Sequence, residues 1–308
     1  MQHSKFASMN PSIIIEQTGG FTGHRDAVYA FEKADGPLRF FSAGGDGMII
    51  EWDAVSFKSG KVIARLPSAI YALQYQKEKG ILFAGTRLHG IYALDLNTQK
   101  EIARIDLPST VYDIKLIRNT TLAAALANGY LYFISLEDFS ILKTLHPNEK
   151  HARKITISAD AIVTGWSDNM IRIYDIHSYE EIYSFTAHEN SVFSVTYINN
   201  GKMLLSGGRD AQLKCWDVAH NYELLKTIPA HLFTINDMAV NTNQKLFATA
   251  SRDKTLKIWD AVSLELLKVL DFGRGGHTHS VNTLLWLDEN YLVSAGDDKL
   301  VKVWNITY

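Results

Sequence analysis

The sequence is short of the features that mark most binding and catalytic chemistries. It has one cysteine, Cys215, in 308 residues, so no intramolecular disulfide can form, which suits a reducing compartment. Neither sign of charge dominates: 31 Lys and Arg face 33 Asp and Glu, a net charge of −2. No overall basic field draws the chain to nucleic acid or anionic lipid. Long apolar runs are missing too. The best near the N-terminus, Ile13-Ile14-Ile15, is cut off by Glu16, whereas an export signal needs roughly 7–15 apolar residues and a membrane span about 20. No GxxxxGK[ST] occurs, and neither GGDG nor GRGG opens a helix as a phosphate cradle requires. Basic residues are scattered, without a stripe of stacking aromatics. The expectation is a cytoplasmic protein with no nucleic-acid or membrane role.

What is present is repetition. Residues 231–260, HLFTINDMAVNTNQKLFATASRDKTLKIWD, hold a histidine, a polar loop, two short runs of β-formers split by Arg252-Asp253-Lys254, and a terminal Trp-Asp. Aligned on that last aromatic slot, the chain shows Trp52, Leu94, Ile134, Tyr174, Trp216, Trp259 and Trp304, at intervals of 42, 40, 40, 42, 43 and 45 residues. A period in this range fits one four-stranded propeller blade per repeat, so seven markers predict seven blades. At 46% hydrophobic the chain can bury a large core, and a propeller of this size is expected to be one domain, residues 11–308, behind a tail of residues 1–10. Residues 12–18 read as an outer strand with no inner strands before it, and the chain stops after an inner strand. The N-terminal strand is therefore expected to complete the last blade and remove two open edges.

This internal grammar resembles the WD-repeat family of β-propellers over nearly the whole chain. In that family a His, a Ser or Thr, an Asp and an aromatic form a hydrogen-bonded tetrad in each blade. The resemblance implies five sets here: His24, Ser42, Asp46 and Trp52; His151, Thr164, Asp168 and Tyr174; His188, Ser206, Asp210 and Trp216; His231, Thr249, Asp253 and Trp259; His277, Ser294, Asp298 and Trp304. The second and third units depart from it, with Leu66, Ala84 and Leu88 in one and Leu107, Ala124 and Asn128 in the other, so apolar packing and turns are expected to hold those blades. A catalytic set is built once and this one five times, which argues for a structural role over a hydrolase triad. Cys215 beside Trp216 reads as a small buried hydrophobe. No metal site is expected: His277, His279 and His24 are too few ligands once His277 is structural, and Asp113 and Asp237 read as solvated channel residues. No cofactor is expected either.

The family's partners are commonly gripped on the face where the d–a and b–c loops emerge. Position by position, the resemblance implies Tyr29, Tyr71, Tyr112 and Phe193 on the innermost strands, with Lys154 and Thr156 in the fourth unit, Asn236 in the sixth and Asn282 in the seventh. It adds Arg87, Arg209 and Arg252 before the b–c turns. Tyr and Arg are enriched at binding hot spots. Trp166 stands where other units have small residues and reads as packing. The reading is a non-catalytic scaffold, expected to be monomeric, that binds a protein or an acidic peptide. The rival from another class is a propeller enzyme, a metal-dependent lactonase or hydrolase using the axial channel; a sensor for a small anion at the three arginines is a third reading.

Overall fold

In a computed structural model the described residues are 13–307, so the expected tail, residues 1–10, lies outside them. Among the described residues, β1 to β28 form seven four-stranded antiparallel sheets. The first blade runs outward from β2 (Val28–Lys33) through β3 (Arg39–Gly44) and β4 (Met48–Asp53) to β5 (Lys61–Arg65). Five further blades repeat this a–b–c–d order, with a at the axis. The seventh takes β26 (Val281–Trp286), β27 (Tyr291–Gly296) and β28 (Val301–Thr307) from the C-terminal end and β1 (Ile14–Phe21) from the N-terminal end. No described helix is long and apolar enough to cross a membrane.

Burial explains why each element reads as it does. Strand b lies between neighbouring blades and is packed on both faces; Thr121–Leu126 and Leu246–Ser251 are buried at every position. Such a strand shows an apolar run, not alternation. Strand d has one face in water, so Ile182, Leu224 and Leu225 are exposed. The b–c turns carry a left-handed residue in every blade. It is Gly47, Gly129, Asn169, Ala211, Lys254 and Lys299 in six of them, five before the strand-c marker, and Gly90 in the second, one residue later. At Gly129 only glycine fits, because a Cβ would lie 1.9 Å from the Asn148 carbonyl oxygen.

Ring closure is antiparallel, from Ile14 opposite Thr307 to Phe21 opposite Val301. The closing strand is displaced from the expected 12–18. A bulge between Gln17 and Gly19 lets pairing continue through Gly19 and Gly20. The Phe57 ring of the first blade lies over Gly19, where any Cβ would approach to 2.2 Å. Phe57 also stacks on Phe21 at 5.6 Å, which in turn meets Trp52 at 4.7 Å.

Candidate functional site

Four of the expected tetrads are hydrogen-bonded as sets. His24 Nδ1 is 3.0 Å from Asp46, its Nε2 is 2.7 Å from Ser42 Oγ, and Trp52 Nε1 donates to the same oxygen at 2.7 Å. The corresponding distances are 2.9, 2.7 and 2.8 Å for His188, Ser206, Asp210 and Trp216. They are 2.9, 2.7 and 3.0 Å for His231, Thr249, Asp253 and Trp259, and 2.9, 2.8 and 2.9 Å for His277, Ser294, Asp298 and Trp304. The proton order follows from the indole, which can only donate. The hydroxyl accepts from Trp and keeps its own proton free to give to His Nε2, and the imidazole Nδ1–H donates to the carboxylate. Each carboxylate also accepts from backbone N–H groups in the d–a loop and after the turn, Leu232 N at 3.0 Å and Thr255 N at 3.0 Å for Asp253. The tetrad thus ties strand c and the b–c turn to the strand entry from the preceding blade.

Its electrostatics set a pH dependence. Burial pushes His24 and His231 below the usual histidine range, and the paired carboxylates only partly offset this. Burial alone would raise Asp210, Asp253 and Asp298, but hydrogen bonds from histidine and backbone outweigh it and hold all three low. In both groups the unfolded chain binds more protons than the folded one, so stability is present above the unfolded pKa values and lost as pH falls below them. Scanning calorimetry should find the melting temperature falling below roughly pH 6.5 and again below about pH 4. A melting temperature that rises on acidification would contradict this proton order. Truncation tests the same network. Asp253→Ala strands the His231, Leu232 and Thr255 donors and should cost about 1–3 kcal/mol in denaturant unfolding. Asp297→Ala removes an exposed carboxylate one residue from the tetrad position and should cost under about 0.5 kcal/mol. Equal losses would mean that the carboxylate at 253 is not a structural acceptor.

The fourth blade corrects the expected fifth tetrad. His151 does not meet Asp168; its Nδ1 bonds the Ala127 carbonyl. Asp168 is taken instead by Arg172, at 3.1 and 2.6 Å, and by Asn148 at 2.7 Å. Thr164 Oγ1 accepts from Trp166 Nε1 at 2.5 Å, so the indole comes from strand b and not from Tyr174 on strand c. Trp166 is fully buried, with the Arg172 guanidinium 4.9 Å from its ring centroid. The cause is its position: His151 stands 17 residues before its Asp and one before strand a, against 21 or 22 and four in the other tetrads. His146, at the usual distance, stacks on Tyr130 at 4.1 Å. The second and third blades pack Ala84, Leu107 and Ala124 in one core cluster or its neighbour, but Leu88 is 66% exposed and contributes nothing to that packing.

A bulge recurs between the first and third residues of every strand a. The second residue is the extra one, and a bulge re-aims its side chain. These residues are Tyr29, Tyr71, Tyr112, Arg153, Phe193, Asn236 and Asn282, and all line the mouth of an axial cavity of ≈ 440 Å3. This corrects the fourth unit, whose mouth residue is Arg153 rather than Lys154 or Thr156. Ala152, not Ile155, is the equivalent first apolar residue. Tyr29 stacks on Tyr71 at 4.8 Å, Tyr71 meets Tyr112 edge-on at 5.9 Å, and Arg153 lies 5.2 Å from the Tyr112 ring and 4.1 Å from Phe193. Burial, with help from Tyr71, Asp297 and Asp26 and against Arg87, pushes Tyr29 up to about 12.

Around this row, the residue before each b–c turn donates its N–H to the carbonyl just ahead of strand a. Arg87 donates to Ala69, Arg209 to Ser191 and Arg252 to Thr234, at 2.9, 2.9 and 3.0 Å. The backbone is therefore fixed while the three guanidinium groups are exposed. Deeper in, Asp113 and Asp237 are not the solvated pair the sequence suggested. Asp113 accepts from Ile155 N at 2.8 Å and Asp237 from Leu284 N at 3.0 Å. Lys154 crosses from the fourth blade to the sixth and pairs with Asp237 at 3.1 Å. Burial works against that ammonium, and the Asp237 and Asp113 charges outweigh it, so its pKa lies above the ordinary lysine value. Among the described residues no group of three or more His, Cys, Asp or Glu is placed to share a metal ion. Cys215 is buried, which pushes its thiol up to about 11 and away from thiolate chemistry.

Comparison with known proteins agrees with this architecture. The family model described as "WD domain, G-beta repeat" matches residues 179–217, 222–260 and 265–305. The WD repeat-containing protein 91 homolog of Dictyostelium discoideum is 22% identical over 215 residues, covering 66% of this chain and 28% of that protein. Human striatin is 22% identical over 245 residues, 71% of this chain and 31% of that protein. The nuclear distribution protein nudF 2 of Penicillium rubens is 34% identical over 68 residues, 22% of this chain and 14% of that protein. The chain thus spans less than a third of the length of these relatives. Three matched repeats, a tetrad in each of four blades and seven four-stranded blades together give the chain the architecture of a WD-repeat β-propeller.

Proposed function

We propose that the propeller is a rigid, non-catalytic docking platform that holds an acidic segment of a partner protein across the mouth of its axial cavity. The observation that carries this reading is the row Tyr29, Tyr71, Tyr112 and Phe193, rimmed by Arg87, Arg209 and Arg252 with no carboxylate in salt-bridge contact with those arginines among the described residues. Planar rings offer large contact area at small entropic cost, and guanidinium forks bind carboxylate or phosphate bidentately. The ring-to-ring steps of 4.8 and 5.9 Å make the tyrosine part of the row long enough for about three residues of extended chain. The relatives' WD repeats support a protein partner in general terms.

Hydrogen exchange on the captured complex tests where the partner sits. Protection is expected around residues 187–193, 209–212 and 231–236, which surround Arg209 and Arg252. The a–b turns near Lys79 and Asn119, at the other end of the ring, should exchange as in the free protein. Protection confined to those a–b turns would place the partner on the opposite face and defeat the proposal.

A further inference from the structure

Arg39, Arg104, Arg172 and Arg274 are each answered by a carboxylate. Arg172 pairs with Asp168 and reaches Glu181 at 3.6 Å while lying over Trp166. Lys154 is answered by Asp237. Arg153 is different. Its guanidinium is part-buried at the mouth, over Phe193 at 4.1 Å and Tyr112 at 5.2 Å. Its Nε donates to Ser167 Oγ at 2.6 Å, which fixes the plane of the fork. Neither terminal amino group makes a hydrogen bond, and no carboxylate pairs with it among the described residues. Burial disfavours its charge, Tyr112 offsets part of that, and Arg209 adds a smaller repulsion.

A cation that is part-buried, oriented and unpaired is costly to keep for structure alone. Stacked rings and a single Nε bond hold the side chain but leave its donors unused. Two neighbouring guanidinium groups then carry about two positive charges, which matches a phosphoryl monoester of charge −1.5 to −2 better than a single carboxylate.

We propose that Arg153 and Arg209 form a preorganised pocket for a phosphorylated side chain of the docking partner. This rests on the reading of the mouth as the docking face and adds the identity of the anchoring group. Arg153 fixes the phosphoryl oxygens through its two free amino groups, and the exposed Arg209 closes from the side. The rings of Tyr112 and Phe193 keep Arg153 from swinging toward solvent.

The test follows the Ser167 backbone N–H signal, next to the Oγ that accepts from Arg153 Nε, by NMR as phenyl phosphate or benzoate is added to the full chain at constant ionic strength. Phenyl phosphate should shift that signal saturably, and benzoate should bind about tenfold or more weakly. Arg153→Met should abolish the response. Arg153→Lys, which keeps the charge but not the fork, should weaken it by about tenfold. Arg209→Met, an exposed change that leaves the fold intact, should weaken it by a similar factor. Non-saturable shifts, or shifts that persist in Arg153→Met at another site, would overturn the pocket. Equal affinity for benzoate would overturn the phosphoryl assignment. Capture of the cellular partner separates this proposal from its basis: if phosphatase-treated partner is still captured while Arg209→Glu/Arg252→Glu abolishes capture, the docking face stands and the phosphoryl pocket falls.

Discussion

Removing residues 1–21 should leave a chain that no longer unfolds in one cooperative transition and that associates through an exposed sheet edge. The expectation follows from what β1 touches. Its Ile13 and Ile15 end packs on the cluster of Leu292, Trp304 and Ile306, while Phe21 is buried in the cluster of Phe40, Trp52, Val301 and Val303. One strand therefore links the cluster shared with the sixth blade to that shared with the first. Its loss uncovers the β28 edge and opens the ring, and an unpaired apolar edge recruits other chains. Apolar burial is lost as well, on the order of 1.5–3 kcal/mol for each fully buried large side chain. Size-exclusion chromatography and calorimetry of the truncated chain check this. A monomer with an unchanged melting curve would mean that the ring is fastened elsewhere.

Much of this architecture was legible because propeller blades repeat. A period near 42 and a marker at each strand c are visible without any knowledge of packing, and the turn slot five residues before the marker holds in six blades. Closure was legible from the unmatched N-terminal strand, although its end was not. Gly19 and Gly20 read as a break, and only the Phe57 ring lying over Gly19 shows why the strand needs them. The fourth blade was misread where a residue type was trusted over its spacing. His151 is a histidine in nearly the right place, but the 17-residue interval to Asp168 already set it apart from the other four.

The rest was not legible because it depends on contacts between blades. Nothing local in the sequence says that Lys154 reaches Asp237, 83 positions later, or that Ile155 N occupies Asp113. Arg153 was missed for a related reason. A bulge shifts which residue faces the mouth, and alternation counted from Ile155 points to Lys154 and Thr156 instead. Aligning on the bulge would have found it, since the same shift brings Tyr29, Tyr71, Tyr112 and Phe193 into one row.

The central claim is that the face carrying these residues holds the partner through charge as well as stacking. Arg209 and Arg252 are exposed and make no ion pair among the described residues, so reversing both should leave the melting temperature almost unchanged. The field across the fifth and sixth blades, however, changes by four charges, and like charges facing an acidic segment cost several kcal/mol. Lys77 and Lys79 lie on the a–b turn of the second blade at the opposite end, where Lys77 makes only an exposed 3.3 Å contact with Asp35. The direct measurement is affinity capture of the cellular partner by the wild-type chain, by Arg209→Glu/Arg252→Glu and by Lys77→Glu/Lys79→Glu, each with a melting curve. Capture should be lost in the arginine pair and kept in the lysine pair, with all three chains equally stable; capture that survives the arginine reversal and fails with the lysine reversal would contradict the account.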